Sequence, residues 1–225
     1  GAHLGAAERE TLKGYNERLS VLQTTFDQRQ HNDVNELAVL VEDIAELDGL
    51  TDTQIATAAA AASARGLEGK WVIPMVNFTG HPLLSSLTNR DLRERIMTNS
   101  LAKGGRANEF DVRDVVLEFV ELRAKRAELF GFKSHAEYII SNQTAGTPEN
   151  VHGMLRRIAP AAIRNARLEA ADIQKAIDAE GGNFELRSWD WDLYTERVRL
   201  EKYNVDTAKF KPYFELERVL NDGVF

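Results

Sequence analysis

Residues 189–225 read WDWDLYTERVRLEKYNVDTAKFKPYFELERVLNDGVF and decide the fold. Trp189 and Trp191 bracket Asp190 where a charged helix begins, so we expect both tryptophans to anchor in the core. Asp190 is expected to cap that helix with its side chain, and Asp192 to complement its positive N-terminal end. The two carboxylates diverge by about 200° around the helix axis, which excludes them as one acid–base pair. A second apolar helix follows and ends without a polar cap or a glycine, a pattern typical of a cut chain.

The composition fits a globular protein, since 43% of the 225 residues are hydrophobic and 28% are charged. Cysteine is absent, which excludes disulfides, thiolate nucleophiles and cysteine-based zinc sites. The formal charge of −7 argues against nucleic acid as a partner. The basic groups Arg156-Arg157 and Arg123-Lys125-Arg126 alternate with acidic and apolar residues, which is typical of solvated helix faces. No apolar run approaches the ~20 residues that cross a bilayer. We therefore expect no membrane partner, and a cytoplasmic location fits.

The remaining sequence predicts a mainly α fold in one continuous unit, residues 1–225, with short β-strands at about residues 37–41 and 70–77. Hydrophobic periodicity and cap residues such as Asn89, Ser134 and Thr147 indicate the helices. The predicted helices span about residues 6–31, 52–64, 89–103 and 112–130, a short segment after Ser134, and residues 147–179.

Two of these helices carry a continuous apolar face. The face of the first helix is a narrow seam, which we interpret as ordinary helix packing, and consists of Leu12, Tyr15, Leu19, Leu22 and Phe26. The face of the long helix after Thr147 consists of Val151, Met154, Leu155, Ile158, Ala162, Ala166, Ile173 and Ile177. Pro160 lies within the long helix and is expected to kink it near residues 156–158.

Residues 189–225 closely resemble the segment upstream of the catalytic domain in the thimet oligopeptidase/oligopeptidase A family of zinc metallopeptidases. Three other stretches agree with that family in order and spacing: RGLEGKW at residues 65–71, NRDLRE at 89–94 and EGGNF at 180–184. The tryptophan pair with the downstream KPYF is fairly specific, whereas NRDLRE or EGGN alone would be a weak signal. The resemblance covers essentially the whole chain and is greatest to the bacterial peptidyl-dipeptidase branch.

This resemblance implies a two-lobed, mostly helical metallopeptidase whose halves flank a deep channel with zinc at its floor. The parent protein would hydrolyse short peptides and release dipeptides from their C-terminal ends. Residues 1–225 would form one helical wall of the channel, which keeps folded proteins away from the metal. The chemistry would lie beyond Phe225.

The zinc motif of that family, His-Glu-x-x-His, is absent from this sequence. The motif places two imidazoles on one helical face to bind zinc, and its glutamate polarises the attacking water. Here no histidine has a second histidine four residues on or a glutamate directly after it; the five are His3, His31, His81, His135 and His152. We therefore assign no catalytic, cofactor-binding or metal-binding residue, and expect this chain alone to bind no zinc and to be inactive. Zinc is expected only in the parent protein. His81 lies in a predicted turn, where histidines are usually exposed.

The C-terminal tyrosines allow two interpretations. Tyr194, Tyr203 and Tyr213 could donate hydrogen bonds to the backbone of a peptide in the channel. Equally, their rings could seat this segment against the rest of the protein. The family's substrate-orienting residues follow the zinc motif, so the resemblance assigns none of them here.

A function of another class is also open: a free-standing helical interaction or scaffold module, since nothing in these residues requires a metal. Under the peptidase hypothesis, apolar surface that the missing part would cover should drive self-association. The candidate residues are the seam of the first helix and the terminal Phe214, Leu216, Val219, Leu220 and Phe225.

Overall fold

The structure, a computed structural model, describes residues 3–76, 80–205 and 207–224. Helices dominate it, as predicted, and two short strands, β1 (Val39–Val41) and β2 (Trp71–Ile73), pair in a two-stranded sheet. β2 is shorter than predicted because Pro74, which has no N–H to donate to a neighbouring strand, follows it directly. Asn77, the predicted end of that strand, lies outside the described residues.

The helices lie close to their predicted positions. The α-helices are α1 (Ala6–Glu36), α2 (Asp52–Ser63), α3 (Arg90–Ala102), α4 (Arg113–Leu129), α5 (His135–Ile140), α6 (Pro148–Ala179), α7 (Trp191–Tyr203), α8 (Thr207–Phe210) and α9 (Leu216–Val219). Short 3-10 turns span Ile44–Leu47, Pro82–Ser85 and Lys211–Phe214, and a π-turn spans Leu220–Val224. Of the helices that the structure describes, none has both the length and the hydrophobicity needed to cross a bilayer.

Local hydrogen bonds set several helix starts where the sequence predicts them. The Oδ1 of Asn89 accepts a hydrogen bond from the N–H of Leu92, at 2.9 Å, at the start of α3. The Oγ1 of Thr147 accepts one from the N–H of Asn150 at 3.2 Å. Pro148 then takes the first position of α6, where its missing N–H would have had no intrahelical partner.

The chain forms two compact units, each assembled from three stretches of sequence. The first consists of Gly1–Leu40, Val72–Thr79 and Thr98–Asn165, and the second of Val41–Trp71, Gly80–Met97 and Ala166–Phe225. The prediction that residues 1–225 form one segment of a larger enclosure stays a prediction.

In the first unit, α1 and α4 pack through one apolar seam. Its buried members come from both helices and are Leu19, Leu22, Val115 and Phe119, with Phe26 and Leu122 packed against them. At the edge of the seam, Arg18 donates two hydrogen bonds to the carboxylate of Glu118, at 2.5 and 2.7 Å. Ordinary helix packing is therefore confirmed for this part of the α1 seam.

The last turn of α1 was not predicted. The helix ends at Glu36 rather than near His31, although its polar composition there favoured an earlier end. Asp33, in this turn, is fully buried and accepts hydrogen bonds from Arg106 and from the N–H of Gly104. These contacts stabilise a turn that local sequence alone leaves undecided.

In the second unit, the C-terminal third of α6 packs against α7. The buried residues of this core are Ile173, Ile177, Leu193 and Tyr194, with Ala176, Phe184, Leu186, Trp191 and Val198 packed against them. Trp191 therefore anchors at the core, as predicted.

α6 is continuous over 32 residues despite Pro160, and the predicted kink stays a prediction. Its apolar face is buried at Ile173 and Ile177, but Met154, Leu155 and Ile158 are 45–51% exposed. Every residue from 152 to 169 is exposed, so no element of the described chain covers this length of helix.

Candidate functional site

Asp190, the residue between the two tryptophans, is fully buried in the second unit and binds two arginines. Its Oδ1 accepts hydrogen bonds from the Nη2 of Arg93 at 2.8 Å and the Nε of Arg90 at 3.1 Å. Its Oδ2 accepts from the Nη2 of Arg90 at 3.0 Å and from the backbone N–H of Arg187 at 3.1 Å. The predicted side-chain cap is wrong: Asp190 occupies the N-cap position of α7, but its carboxylate bonds no N–H of that helix.

Arg93 completes this cluster, which we call the Asp190 clamp (Asp190, Arg90 and Arg93). Its side chain is 2% exposed, and its Nη1 donates to the backbone carbonyls of Leu87 and Thr88, at 3.0 and 2.8 Å. Its Nε donates to the backbone carbonyl of Trp189 at 3.0 Å. The planar guanidinium, with five N–H donors in one plane, can bind several acceptors at once. Both oxygens of Asp190 accept hydrogen bonds, and the two arginines tie α3 to the start of α7.

Arg90 also lies against two aromatic rings at the edge of a shallow cleft. Its guanidinium carbon is 4.2 Å from the ring centroid of Phe184 and 5.5 Å from that of Trp189. The cleft has a volume of about 400 Å³ and is lined by Arg90, Glu94, Phe184, Glu185, Arg187 and Trp189. Because two basic and two acidic side chains line it, its charge selects no class of ligand.

A second cleft, of about 430 Å³, lies between the end of α6 and α7. Its apolar side chains include Ile173, Trp191 and Val198, and Asp172 is one of its charged residues. Asp172 is engaged by Lys202 and Lys175, whose hydrogen bonds lower the pKa of its carboxyl below the ordinary value. The negative charge of Asp172 is therefore paired with two lysines, and Asp172 is not an unpaired acid or base in this cleft.

The first unit contains a second buried carboxylate, Asp33. Its Oδ1 accepts from the Nε of Arg106 at 2.9 Å, and its Oδ2 accepts from the N–H of Gly104 at 2.6 Å. Gly104 has a φ of +71°, which other residues rarely adopt, and a Cβ there would lie 2.8 Å from the Cγ2 of Val112, so the position favours glycine. No sequence pattern around Asp33 indicates an interaction site. The one available signal was the Gly104-Gly105-Arg106 stretch after α3.

His81 is partly buried, not exposed as predicted. Its Nδ1 accepts a hydrogen bond from the N–H of Leu83 at 3.1 Å and so caps the turn Pro82–Ser85. This burial lowers the pKa of the His81 imidazole below its ordinary value. Protonation at Nδ1 would also remove the acceptor that caps the turn.

We expect His81 to make the second unit less stable in acid. Its pKa is lower in the folded state than in the unfolded state, so its contribution is fully present above the unfolded value of about 6.5 and is lost as the pH falls through the folded value. His81→Asn keeps a capping oxygen but does not titrate. It should therefore reduce the difference between urea midpoints measured at about pH 7.5 and about pH 5. An identical difference in both proteins would contradict this role.

The three C-terminal tyrosines divide between the two interpretations. Tyr194 is 6% exposed and lies in the core of the second unit, so it seats α7. Tyr203 and Tyr213 are 71% and 64% exposed. Their rings are therefore open to contact with another molecule.

Over residues 3–76, 80–205 and 207–224, no group of three or more histidine or acidic side chains is placed to hold a metal ion. The five histidines lie on different elements, with His3 before α1, His31 on α1, His81 directly before the turn Pro82–Ser85, His135 on α5 and His152 on α6. These residues do not fit a zinc site. The assignment of no catalytic, cofactor-binding or metal-binding residue to this chain stays a prediction.

Known proteins resemble this chain over its whole length. The dipeptidyl carboxypeptidases of Escherichia coli and Salmonella typhimurium are 40% and 37% identical to it over 225 residues, which are all of this chain and 33% of each relative. Oligopeptidase A of Escherichia coli is 30% identical over 190 residues, 83% of this chain and 28% of that relative. The chain thus spans about a third of the length of these relatives.

Residues 83–225 match the model of a protein family described as Peptidase family M3. This range begins before α3 and includes the complete Asp190 clamp. Because this range is more than half of the sequence, and because the resemblance of the tryptophan motif points the same way, the chain belongs to peptidase family M3.

Proposed function

We propose that this chain is the channel-wall part of a metallopeptidase that hydrolyses short peptides and releases dipeptides from their C-terminal ends. The supporting observation is its 40% identity, over every residue, to a dipeptidyl carboxypeptidase. Oligopeptidase A is less similar and matches less of the chain, which favours dipeptide release over cleavage within the peptide. Zinc is proposed for the parent protein on the strength of its family and not for this chain.

The role proposed for this chain is exclusion. Its buried ion pairs, at Asp190 and at Asp33, hold helices in fixed positions within each unit. A wall of rigid helices would admit an extended peptide but keep a folded domain away from the metal. A cytoplasmic location belongs to the same proposal and would be tested by cell fractionation.

The test compares the 225-residue chain with the longer protein encoded by the same reading frame. We expect the reading frame to continue past Phe225 into a His-Glu-x-x-His segment. The longer protein should release dipeptides from an N-acylated tetrapeptide, lose that activity with a chelator and leave a folded domain intact.

Two outcomes would contradict this proposal. Peptide hydrolysis or tight stoichiometric zinc binding by the 225-residue chain alone would place the chemistry within it. A stop codon directly after Phe225 would favour the alternative, a free-standing helical scaffold module.

The terminal apolar patch predicts self-association of this chain. Phe214 and Leu216 are 73% and 66% exposed, whereas Leu19 and Leu22 are buried, so this part of the α1 seam is no longer a candidate. Exposed patches of this kind commonly drive association. Leu220 is partly buried and Val219 is exposed, and Phe225 lies outside the described residues.

Sedimentation velocity over a wide range of concentrations measures this association. Phe214→Ser with Leu216→Ser should shift the equilibrium towards monomer. Leu117→Ser, at an equally exposed leucine of α4, should not. A strictly monomeric wild-type chain at the highest concentration would exclude association through the patch.

A further inference from the structure

Positive charge is concentrated in one part of this acidic chain. Residues 122–168 contain eight Lys and Arg and three Asp and Glu, a formal charge of +5, whereas the whole chain carries −7. Three arginines on α6 within the first unit, Arg156, Arg157 and Arg164, form no ion pair or hydrogen bond with any residue that the structure describes. The arginines of α3 behave differently, since Arg90 and Arg93 are both paired with a carboxylate.

These three arginines share one side of an uncovered helix. At about 100° per residue and 1.5 Å of rise, they fall within an arc of about 100° and along about 12 Å of the helix axis. Pro160 lies in the same arc, so one short side chain separates Arg156 and Arg157 from Arg164. The exposed apolar residues Met154, Leu155 and Ile158 lie on the opposite side of the helix. We call Arg156, Arg157 and Arg164 the arginine face.

A short acidic peptide matches this face in charge and in length. An extended chain rises about 3.3 Å per residue, so about four residues span the arginine face. A guanidinium binds a carboxylate through two parallel hydrogen bonds, and a charge-assisted bond of this kind is stronger than a neutral one. We propose that the arginine face of α6 binds acidic segments of peptide substrates. This inference rests on the proposed function, because it assigns a substrate class to the wall.

Other occupants fit these observations less well. From the sequence alone, alternating charges favour a solvated face, but neighbouring acids do not neutralise these arginines in the structure. Nucleic acid would meet a chain of net charge −7. A bilayer would take up the apolar side of α6 and would leave the arginine face in water. Binding to lipid would therefore depend on Met154, Leu155 and Ile158.

The test is fluorescence anisotropy of a fluorescein-labelled peptide of alternating glutamate and alanine, titrated with the full chain at low salt. Arg157→Gln with Arg164→Gln should weaken the affinity about tenfold or more, and added salt should weaken wild-type binding. Arg157→Lys with Arg164→Lys should retain part of the affinity, because lysine keeps the charge but loses the planar fork. Circular dichroism checks that each variant remains helical.

The control is Arg113→Gln with Arg218→Gln, which changes net charge equally at two exposed arginines that, unlike Arg157 and Arg164, are ion-paired. It should leave peptide affinity unchanged. An equal loss in this control, no binding by the wild-type chain, or equal binding of a lysine–alanine peptide would overturn the proposal. So would binding to phosphatidylglycerol vesicles in place of the acidic peptide.

This experiment fails separately from the test of the proposed function. If the acidic peptide does not bind, hydrolysis of neutral peptides by the longer protein is unaffected, and only the substrate class is wrong. If the peptide binds but the longer protein hydrolyses nothing, the peptidase proposal is wrong and the binding face remains.

Discussion

Asp190→Ala is expected to destabilise the second unit by about 3–5 kcal/mol, because removing one partner of a buried ion pair leaves the other charge uncompensated. Arg93, with 2% of its side chain exposed, cannot exchange Asp190 for water. Arg90 is 30% exposed and would recover part of its hydration. Urea unfolding followed by tryptophan fluorescence measures this change, since Trp71, Trp189 and Trp191 all belong to the second unit.

Asp192→Ala is the matched control two residues away. Asp192 is exposed overall. Partial desolvation of its carboxyl and, to a smaller extent, the negative charge of Glu196 raise the pKa of this carboxyl above the ordinary value. Its charge is therefore not stabilised by the fold, and its removal should change stability by no more than about 0.5 kcal/mol. Equal losses for both variants would mean that the Asp190 clamp contributes nothing specific.

Asp33→Ala should destabilise the first unit by about 2–4 kcal/mol, because the buried N–H of Gly104 loses its acceptor and Arg106 loses a buried partner. The expected loss is smaller than for Asp190, since Arg106 is 27% exposed and keeps its ion pair with Glu36. Hydrogen exchange followed by mass spectrometry measures this loss of stability in Asp33→Ala. We expect faster exchange in residues 32–36, the last turn of α1.

Asp27→Ala on the same helix is the control for Asp33. Asp27 is exposed and accepts a single side-chain hydrogen bond, from Gln23 at 2.9 Å. Its removal should change the free energy of unfolding by no more than about 0.5 kcal/mol. If exchange in residues 32–36 is unchanged in Asp33→Ala, the buried carboxylate does not hold the end of α1.

The helix starts were predictable because their causes lie within a few residues. Asn89 and Thr147 each bond an N–H three positions on, and Pro148 suits the first turn of α6 whatever packs around it. The end of α1 could not be read in this way. Its final turn depends on Arg106 and Gly104, about seventy residues from Asp33 along the chain.

Asp190 shows how tertiary structure can override a correct local rule. An aspartate before a helix usually caps it, and Asp190 does occupy the N-cap position. Its oxygens instead bind two arginines about a hundred positions earlier in the sequence. A buried carboxylate binds guanidinium more strongly than a backbone N–H, so the distant partners displace the local one.

The sequence alone determined the mainly α class, the positions of the helices and, through the tryptophan motif, the peptidase family. These properties arise from spacings of three or four residues and from motifs that are contiguous in the chain. Tertiary structure decided that Leu19 and Leu22 are buried while the apolar side of α6 stays exposed near Met154, and which arginine meets which buried carboxylate. The physical reason is burial: the free energy of an apolar or charged side chain depends on what surrounds it, and those surroundings come from distant parts of the chain.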